Sequence, residues 1–312
     1  MISVLITYHN EKELLTECIK SFVSQEEQLI DEILIFDDAS EYPAIEYISD
    51  FKVRVIRSEQ NVGPGHARNI LANEALSTYI HFHDADDLVT ENWSSKVAEY
   101  IHNIAADVII TEVMSVKEDV VVSNAVMQVD ELLNGINPID FAILGSVLVP
   151  STILRKSLFL KCGGFKSWTE LPQSEDYDLH LRMFMLYPHI VVINEPLVIQ
   201  RIRNNSHSSD SMDQCFISAL NVMKDVAQRL DGKHYYSLAL RSARIASYFY
   251  QKNNHSDGDF AYKISKGFRF FVVRNDRNLL FNILYFLTSL KTAEKVASKF
   301  RNIKNHNKWR FI

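Results

Sequence analysis

Tyr79-Ile80-His81-Phe82-His83-Asp84-Ala85-Asp86-Asp87 is an aromatic and apolar run that reads as a buried strand and ends in three carboxylates. Like charges a few ångströms apart raise one another's pKa, so such a cluster calls for a cation, and a divalent metal is the natural candidate. An acidic triplet taken alone reads more often as a solvated turn than as a site. Its surroundings favour a site.

Upstream, Ile2 to Tyr8 is a short run rich in β-branched residues, and Glu11 to Gln25 follows with Leu14, Leu15, Cys18, Ile19 and Phe22 at helical spacing. Ile33 to Phe36 repeats the apolar run and ends in Asp37-Asp38-Ala39-Ser40. Val53 to Ile56 supplies a third, and Gly65 to Leu76 is helical before the Tyr79 strand. Strands buried on both faces and separated by helices predict an α/β fold with a mostly parallel central sheet flanked by helices. Such sheets bind ligands at the carboxyl ends of their strands. Thr7, Asp37, Asp38, Arg57 and Asp84 to Asp87 all fall at those ends, and their convergence on one edge predicts a single site.

A chain of 312 residues with 47% hydrophobic content can bury a sizeable core and has room for an appendage. Cys18, Cys162 and Cys215 lie far apart with no CxxC spacing, which argues against a disulfide framework or a zinc site and suits a reducing compartment. The amino terminus reads as a strand, without a basic segment and apolar leader, so a cytoplasmic protein is expected.

The α/β pattern runs to about Glu195 and closes with Ile190 to Ile193 and Leu197 to Ile202. Beyond the polar stretch Arg203 to Asp213 the periodicity is helical: Met212 to Leu230, Tyr235 to Gln251, Asp259 to Phe271 and two more segments. Residues 1–210 are therefore expected to form the catalytic domain and 211–312 a helical region. Residues 211–312 carry 18 Lys and Arg against 7 Asp and Glu, whereas residues 1–210 carry 15 against 32. An acidic front does not suit nucleic acid. The basic tail suits contact with an anionic membrane surface, an oligomer contact, or simple solubilisation of a helical bundle. Its most apolar run, Leu279 to Leu290, is too short to span a bilayer.

Several ordered motifs within residues 1–210 resemble the inverting, nucleotide-sugar-dependent glycosyltransferases of family 2, which have the A-type fold. Ser3-Val4-Leu5-Ile6-Thr7-Tyr8-His9-Asn10 is similar to that family's first strand and turn, and Asp37-Asp38-Ala39-Ser40 to its second-strand motif. The resemblance implies that Thr7, Tyr8 and Asn10 lie by the nucleotide base and that Asp38, with Asp37 close behind, accepts the base imino hydrogen. Arg57 joins the same donor-binding set. Asn61-Val62-Gly63-Pro64-Gly65-His66-Ala67-Arg68-Asn69 resembles the loop and helix start beneath the diphosphate, which assigns Asn61, Gly63 and Arg68 to the donor. Asp84-Ala85-Asp86-Asp87 falls at the family's metal motif, with Asp86 the expected ligand of Mn²⁺ or Mg²⁺ and Asp84 shared between the ribose and the metal.

Physical chemistry supports these assignments independently. A nucleoside diphosphate leaving group carries heavy negative charge, which a cation held by one or two carboxylates stabilises as the glycosidic bond breaks. Gly63 and Gly65 read either as backbone passing close to a ligand or as an ordinary turn into a helix. A second cluster, Gln173-Ser174-Glu175-Asp176-Tyr177-Asp178, places Ser174 as a helix cap and acids in the first turn, where the helix dipole favours them. In the family this pattern puts the general base at Asp176, and Glu175 becomes an acceptor-binding neighbour. Trp168, after the family-like Cys162-Gly163-Gly164-Phe165, stacks on an acceptor sugar or is structural. Arg203 stands where the family often has a histidine. His207 follows four residues later as a metal ligand or a solvated loop histidine, and Arg203 can neutralise phosphate instead. His81 and His83 share a strand face, lack a third ligand at suitable spacing and read as packing residues or as supports behind the metal-binding turn.

The expected activity is metal-dependent transfer from a UDP-hexose or UDP-N-acetylhexosamine to a hydroxyl of a glycan or lipid-linked glycan, in bacterial surface polysaccharide synthesis. Two other readings are a sugar-nucleotide-binding protein without catalysis and a nucleotidyltransferase. The intact Asp84, Asp86 and Asp176 disfavour the first. The second would carry a glycine-rich signature with a basic residue near the first strand, which Thr7-Tyr8-His9-Asn10 lacks.

Overall fold

The apolar runs become strands and the periodic segments helices in the computed structural model, which describes residues 1–145, 147–203 and 212–272. The chain divides into two compact units, Met1–Val222 and Met223–Ile312. In chain order the first contains β1 (Ile2–Tyr8), α1 (Glu13–Val23), β2 (Ile30–Asp37), β3 (Arg54–Arg57), α2 (Pro64–Glu74), β4 (Tyr79–Asp84), β5 (Leu88–Val89) and α3 (Trp93–Ile104). It continues with β6 (Val108–Lys117), β7 (Val120–Ser123), α4 (Asp130–Leu133), α5 (Pro138–Leu144), β8 (Thr152–Arg155), α6 (Lys156–Lys161), α7 (Glu175–Phe184) and β9 (Ile190–Arg201). The expected strands Ile190 to Ile193 and Leu197 to Ile202 are thus one element, joined through register irregularities opposite Glu112.

The strands form one sheet in the order β3-β2-β1-β4-β8-β6-β9-β5, with β7 paired to β6. β3, β2, β1 and β4 are parallel, as are β6 and β9, and β8 runs antiparallel between β4 and β6. The mixed α/β class is the expected one. Chain order reverses at β1: β2 and β3 extend to one side and β4 to the other, which opens a crevice at their carboxyl ends. Thr7 and Asp84 are register partners at that crevice.

Helix α1 explains why the β4 histidines are silent. It buries Leu15, Cys18, Ile19 and Phe22, and the Phe22 ring meets His83 edge-on at 4.9 Å and Trp93 at 5.6 Å. Burying each such large side chain contributes roughly 1.5–3 kcal/mol. His81 and His83 are fully buried and linked through Nε2 and Nδ1 at 3.2 Å, and His81 Nδ1 lies 3.0 Å from the Thr152 carbonyl. Burial holds their pKa values down, to about 3 and about 4, so both are neutral packing residues near pH 7.

Helix α8 (Met212–Ala227) follows the polar stretch and runs across the division between the units, which lies between Val222 and Met223. The second unit contains α9 (Tyr235–Gln251) and α10 (His255–Val272). Leu238, Ile245, Phe249 and Ala261 are buried on these helices, and Ser265 Oγ of α10 donates to the Ala239 carbonyl of α9 at 2.7 Å. No helix among the described residues is long and apolar enough to cross a membrane. The two further tail helices and the run Leu279 to Leu290 lie outside the described residues, as does His207.

Candidate active site

At the end of β2 the two adjacent aspartates do different work. Asp37 is 1% exposed. It accepts hydrogen bonds from the amides of Ser40 and Ala44, both at 3.0 Å, and from Arg57 Nη1 at 3.2 Å. It therefore fixes the β2–β3 turn, and Arg57, a candidate donor ligand, spends its guanidinium on Asp37 and the Ser40 carbonyl. Asp38 accepts from the amides of Val62 and Gly63 at 2.7 and 2.9 Å, tying the loop before α2 to the strand ends. Each of its oxygens keeps a further lone pair. A surface hollow lined by Ala39, Arg57, Ser58 and Glu59 opens beside it.

Tyr8, expected beside the base, points the other way: it is 1% exposed and donates its hydroxyl to the Tyr42 carbonyl at 2.7 Å. The tyrosine left accessible there is Tyr42, with Lys12 Nζ 3.6 Å from its ring centre. Asn10, with a left-handed φ of 71°, receives the Tyr42 amide on its side-chain oxygen at 3.1 Å and so holds the loop. Among the described residues the Asn61 side chain reaches the His9 ring, at 3.5 Å. Thr7 Oγ1 donates to Asp84 at 3.4 Å.

The acidic turn is held from β9. The Arg201 amide donates to Asp87 Oδ1 at 2.9 Å, and its guanidinium reaches the Asp86 carbonyl and Glu17. Asp87 is 4% exposed, so it fixes the turn. Asp86 is ion-paired to Arg203. Burial, then the neighbouring acids, push the Asp86 and Asp87 carboxyls upward in pKa, whereas Arg68 and Thr7 hold Asp84 below its ordinary value despite burial. Glu11, unremarked in the sequence reading, also feels Asp86 and Arg203, and burial raises its pKa. Among the described residues no group of three or more His, Cys, Asp or Glu is arranged to hold a metal alone. The hard carboxylate oxygens nevertheless suit a Mg²⁺ or Mn²⁺ that takes the place of the Arg203 guanidinium on Asp86, its shell completed by phosphate and water.

Across the crevice, Asp178 is fully buried and ion-paired to Lys166 at 2.8 Å and Arg182 at 2.6 Å, which makes this third acid of α7 structural. Ser174 occupies the cap position with φ 65°, but no side-chain cap forms, and its hydroxyl goes to the Cys215 carbonyl at 2.9 Å. Asp176 accepts from the Tyr177 amide at 2.7 Å. Burial first and Glu175 second push its carboxyl up to about 6. Glu175 receives Arg68 Nη1 at 3.3 Å, and Arg68 Nη2 donates to Asp84 at 2.8 Å. Arg68, a candidate donor ligand, is 6% exposed and spent between these carboxylates. Trp168 is 46% exposed, and its ring lies against the backbone of Gly63. Two chains of contact thus cross the crevice, Asp38–Gly63–Trp168 and Asp84–Arg68–Glu175, and they bring the expected donor and acceptor residues to one place.

The family model for Glycosyl transferase family 2 matches residues 3–154. Glycosyltransferase GlyG of Streptococcus pneumoniae serotype 4 is 27% identical over 225 residues, which cover 66% of this chain and 72% of that protein. A poly(ribitol-phosphate) beta-glucosyltransferase of Bacillus spizizenii is 33% identical over 95 residues, 28% of this chain and 15% of that one. Among solved structures, S. aureus TarS 1–349 in complex with UDP-GlcNAc aligns with a TM-score of 0.67 at 16% identity, covering 98% of this chain and 93% of that chain. The mannosyltransferase PcManGT from Pyrobaculum calidifontis, with GDP-Man and Mn²⁺, aligns at 0.57 and 12% identity, covering 96% and 79%. At such identities the structural likeness bears on the fold.

Proposed function

We propose, from the premise that this chain is a glycosyltransferase of family 2, that it is a metal-dependent inverting enzyme. Its donor is a UDP-hexose or UDP-N-acetylhexosamine, and its acceptor a hydroxyl of a glycan, polyol-phosphate or lipid-linked polymer made at the cell surface. The carrying observation is Arg68, whose two arms join Asp84 of the acidic turn to Glu175 beside Asp176. In this reading the donor lies over the carboxyl ends of β1 and β4, with its base toward Asp38. Asp176 takes the proton from the acceptor hydroxyl, whose oxygen attacks the anomeric carbon from the face opposite the nucleoside diphosphate. The new C–O bond forms as the bond to the diphosphate breaks, so configuration inverts. A carboxylate with a pKa near 6 is deprotonated at neutral pH yet basic enough for that task.

Asp86, with Asp84 beside it, would hold a Mn²⁺ or Mg²⁺ arriving with the diphosphate, and the ion supplies charge stabilisation to the leaving group. Glu175 and Trp168 would line the acceptor side. Relatives named for poly(ribitol-phosphate) substrates and a fold neighbour solved with UDP-GlcNAc support the choice of donor and of polymeric acceptor. A cytoplasmic enzyme working at the inner membrane face suits the basic carboxyl-terminal third.

The reading is tested by incubating the protein with Mn²⁺ and a panel of nucleotide sugars and following release of nucleoside diphosphate. EDTA and Asp86→Ala are expected to abolish release, and Asp176→Asn to keep UDP binding while abolishing turnover. Release that survives both EDTA and Asp86→Ala removes the metal from the mechanism. Pyrophosphate formation from a nucleoside triphosphate and a sugar phosphate replaces the reading with nucleotidyl transfer.

A further inference from the structure

Helix α2 presents Gly65, Arg68 and Asn69 at positions i, i+3 and i+4, one face of a helix. That face docks on the residues that lead into α7. The Asn69 amide pairs both backbone groups of Phe165, donating to its carbonyl at 2.8 Å and accepting from its amide at 2.9 Å. A Cβ on Gly164, whose φ is +66°, would lie 2.5 Å from Asn69 Oδ1. A Cβ on Gly65 would lie 3.1 Å from the Lys166 carbonyl and 3.5 Å from Glu175 Cγ. The contact therefore has no slack, and Arg68 is buried in it with its guanidinium 5.4 Å from the Phe165 ring centre.

We infer that Arg68 is a positioning residue for the transfer step, its planar fork fixing the Asp84 carboxylate and the first turn of α7 at one separation. Without it Asp84, Glu175 and Asp176 confront one another as like charges in a buried crevice, and α7 relaxes outward. A lysine restores the charge but not two divergent donors. The inference rests on the proposed role of Asp176 as base. It replaces the expectation that Arg68 contacts the donor: the residue faces carboxylates from both halves of the site and reaches the chemistry only through them. A misplacement of about 1 Å of a reacting group costs about 100-fold in rate, so the effect belongs in kcat.

The test uses full-length protein, the UDP-sugar that wild type hydrolyses with Mn²⁺, and UDP binding by calorimetry. Arg68→Met is expected to bind UDP within about threefold of wild type and to lose more than tenfold in kcat, with Arg68→Lys recovering part of the loss. A kcat loss under tenfold overturns the inference. So does a Kd for UDP that weakens in parallel with the rate, which returns Arg68 to the donor, or an Arg68→Lys variant no faster than Arg68→Met. Asp176→Asn separates the failures: if it hydrolyses at the wild-type rate the base assignment is wrong, and if it is inactive while Arg68→Met works, only the role of Arg68 is wrong. Should Arg68→Met not fold, Glu175→Gln removes one arm. It is then expected to lower kcat more than tenfold with UDP binding unchanged, and wild-type kcat there overturns the inference equally.

Discussion

Arg203 stands on Asp86: the guanidinium two residues beyond β9 is ion-paired to the carboxylate that an incoming cation would need. Burial first and the neighbouring Asp84 second raise the pKa of Asp86, and Arg203 is its resident counter-charge. A divalent ion binding there without nucleotide must displace that pair. For a partly exposed ion pair the cost is roughly 1 kcal/mol, or about fivefold in affinity. Arg203→Met should therefore bind Mn²⁺ about fivefold more tightly than wild type in the absence of nucleotide, by electron paramagnetic resonance titration. Unchanged or weaker Mn²⁺ binding would mean that the ion does not use Asp86.

The Asp176 carboxyl, at about 6, sets an expected acid limb. A base works deprotonated, so turnover should be level above that pH and fall tenfold per unit below it. Burial raises the value first and the Glu175 charge second, so Glu175→Gln should move the limb to lower pH. A pH–rate profile of UDP release between pH 4.5 and about 8 checks both. A limb that stays in place in Glu175→Gln would show that another group titrates.

Adjacent Asp37 and Asp38 should separate stability from binding. Asp37→Ala strands the Ser40 and Ala44 amides in a buried turn and unpairs the half-exposed Arg57, a loss of about 1–3 kcal/mol for each amide readable by urea unfolding. Asp38→Ala leaves the Val62 and Gly63 amides unpaired and costs about 1–3 kcal/mol, with a larger proportional loss of UDP affinity. If Asp37→Ala is as stable as wild type while UDP binding fails, the two roles are exchanged.

Much of this was legible in the sequence because it is local. β1 and β4 announce themselves as apolar runs, and in a parallel sheet the charges that follow such runs must gather at one edge, as Thr7 and Asp84 do. What stayed hidden depends on pairings distant in the chain. β8 has four residues, and nothing in Thr152–Arg155 signals that it pairs antiparallel with both β4 and β6. Arg68 carries no mark of its partner Glu175, 107 positions away, so a guanidinium near a glycine-rich turn reads as a phosphate ligand. Tyr8 was hidden for another reason: strand alternation turns it opposite to Thr7, and its hydroxyl goes to the Tyr42 carbonyl, 34 positions away. Asp178 had a local clue, since Arg182 lies one helical turn on.

Gly63 and Trp168 give the most direct test of how the donor loop and the acceptor side fit together. Gly63 has φ +82°, and a Cβ there would lie 2.3 Å from Trp168 Cε2, so alanine meets both backbone strain and the indole ring. The backbone part alone is about 1–3 kcal/mol. Trp168→Ala should cost little stability, because nearly half of that side chain is exposed. In Gly63→Ala/Trp168→Ala the steric part disappears and the backbone part remains, so the double variant should be more stable in urea than Gly63→Ala alone. This non-additivity, about 0.5–3 kcal/mol for residues in contact, is the signature of the pair. If the double variant is the less stable of the two, the indole does not sit against Gly63 in solution, and the acceptor wall must be built from other residues.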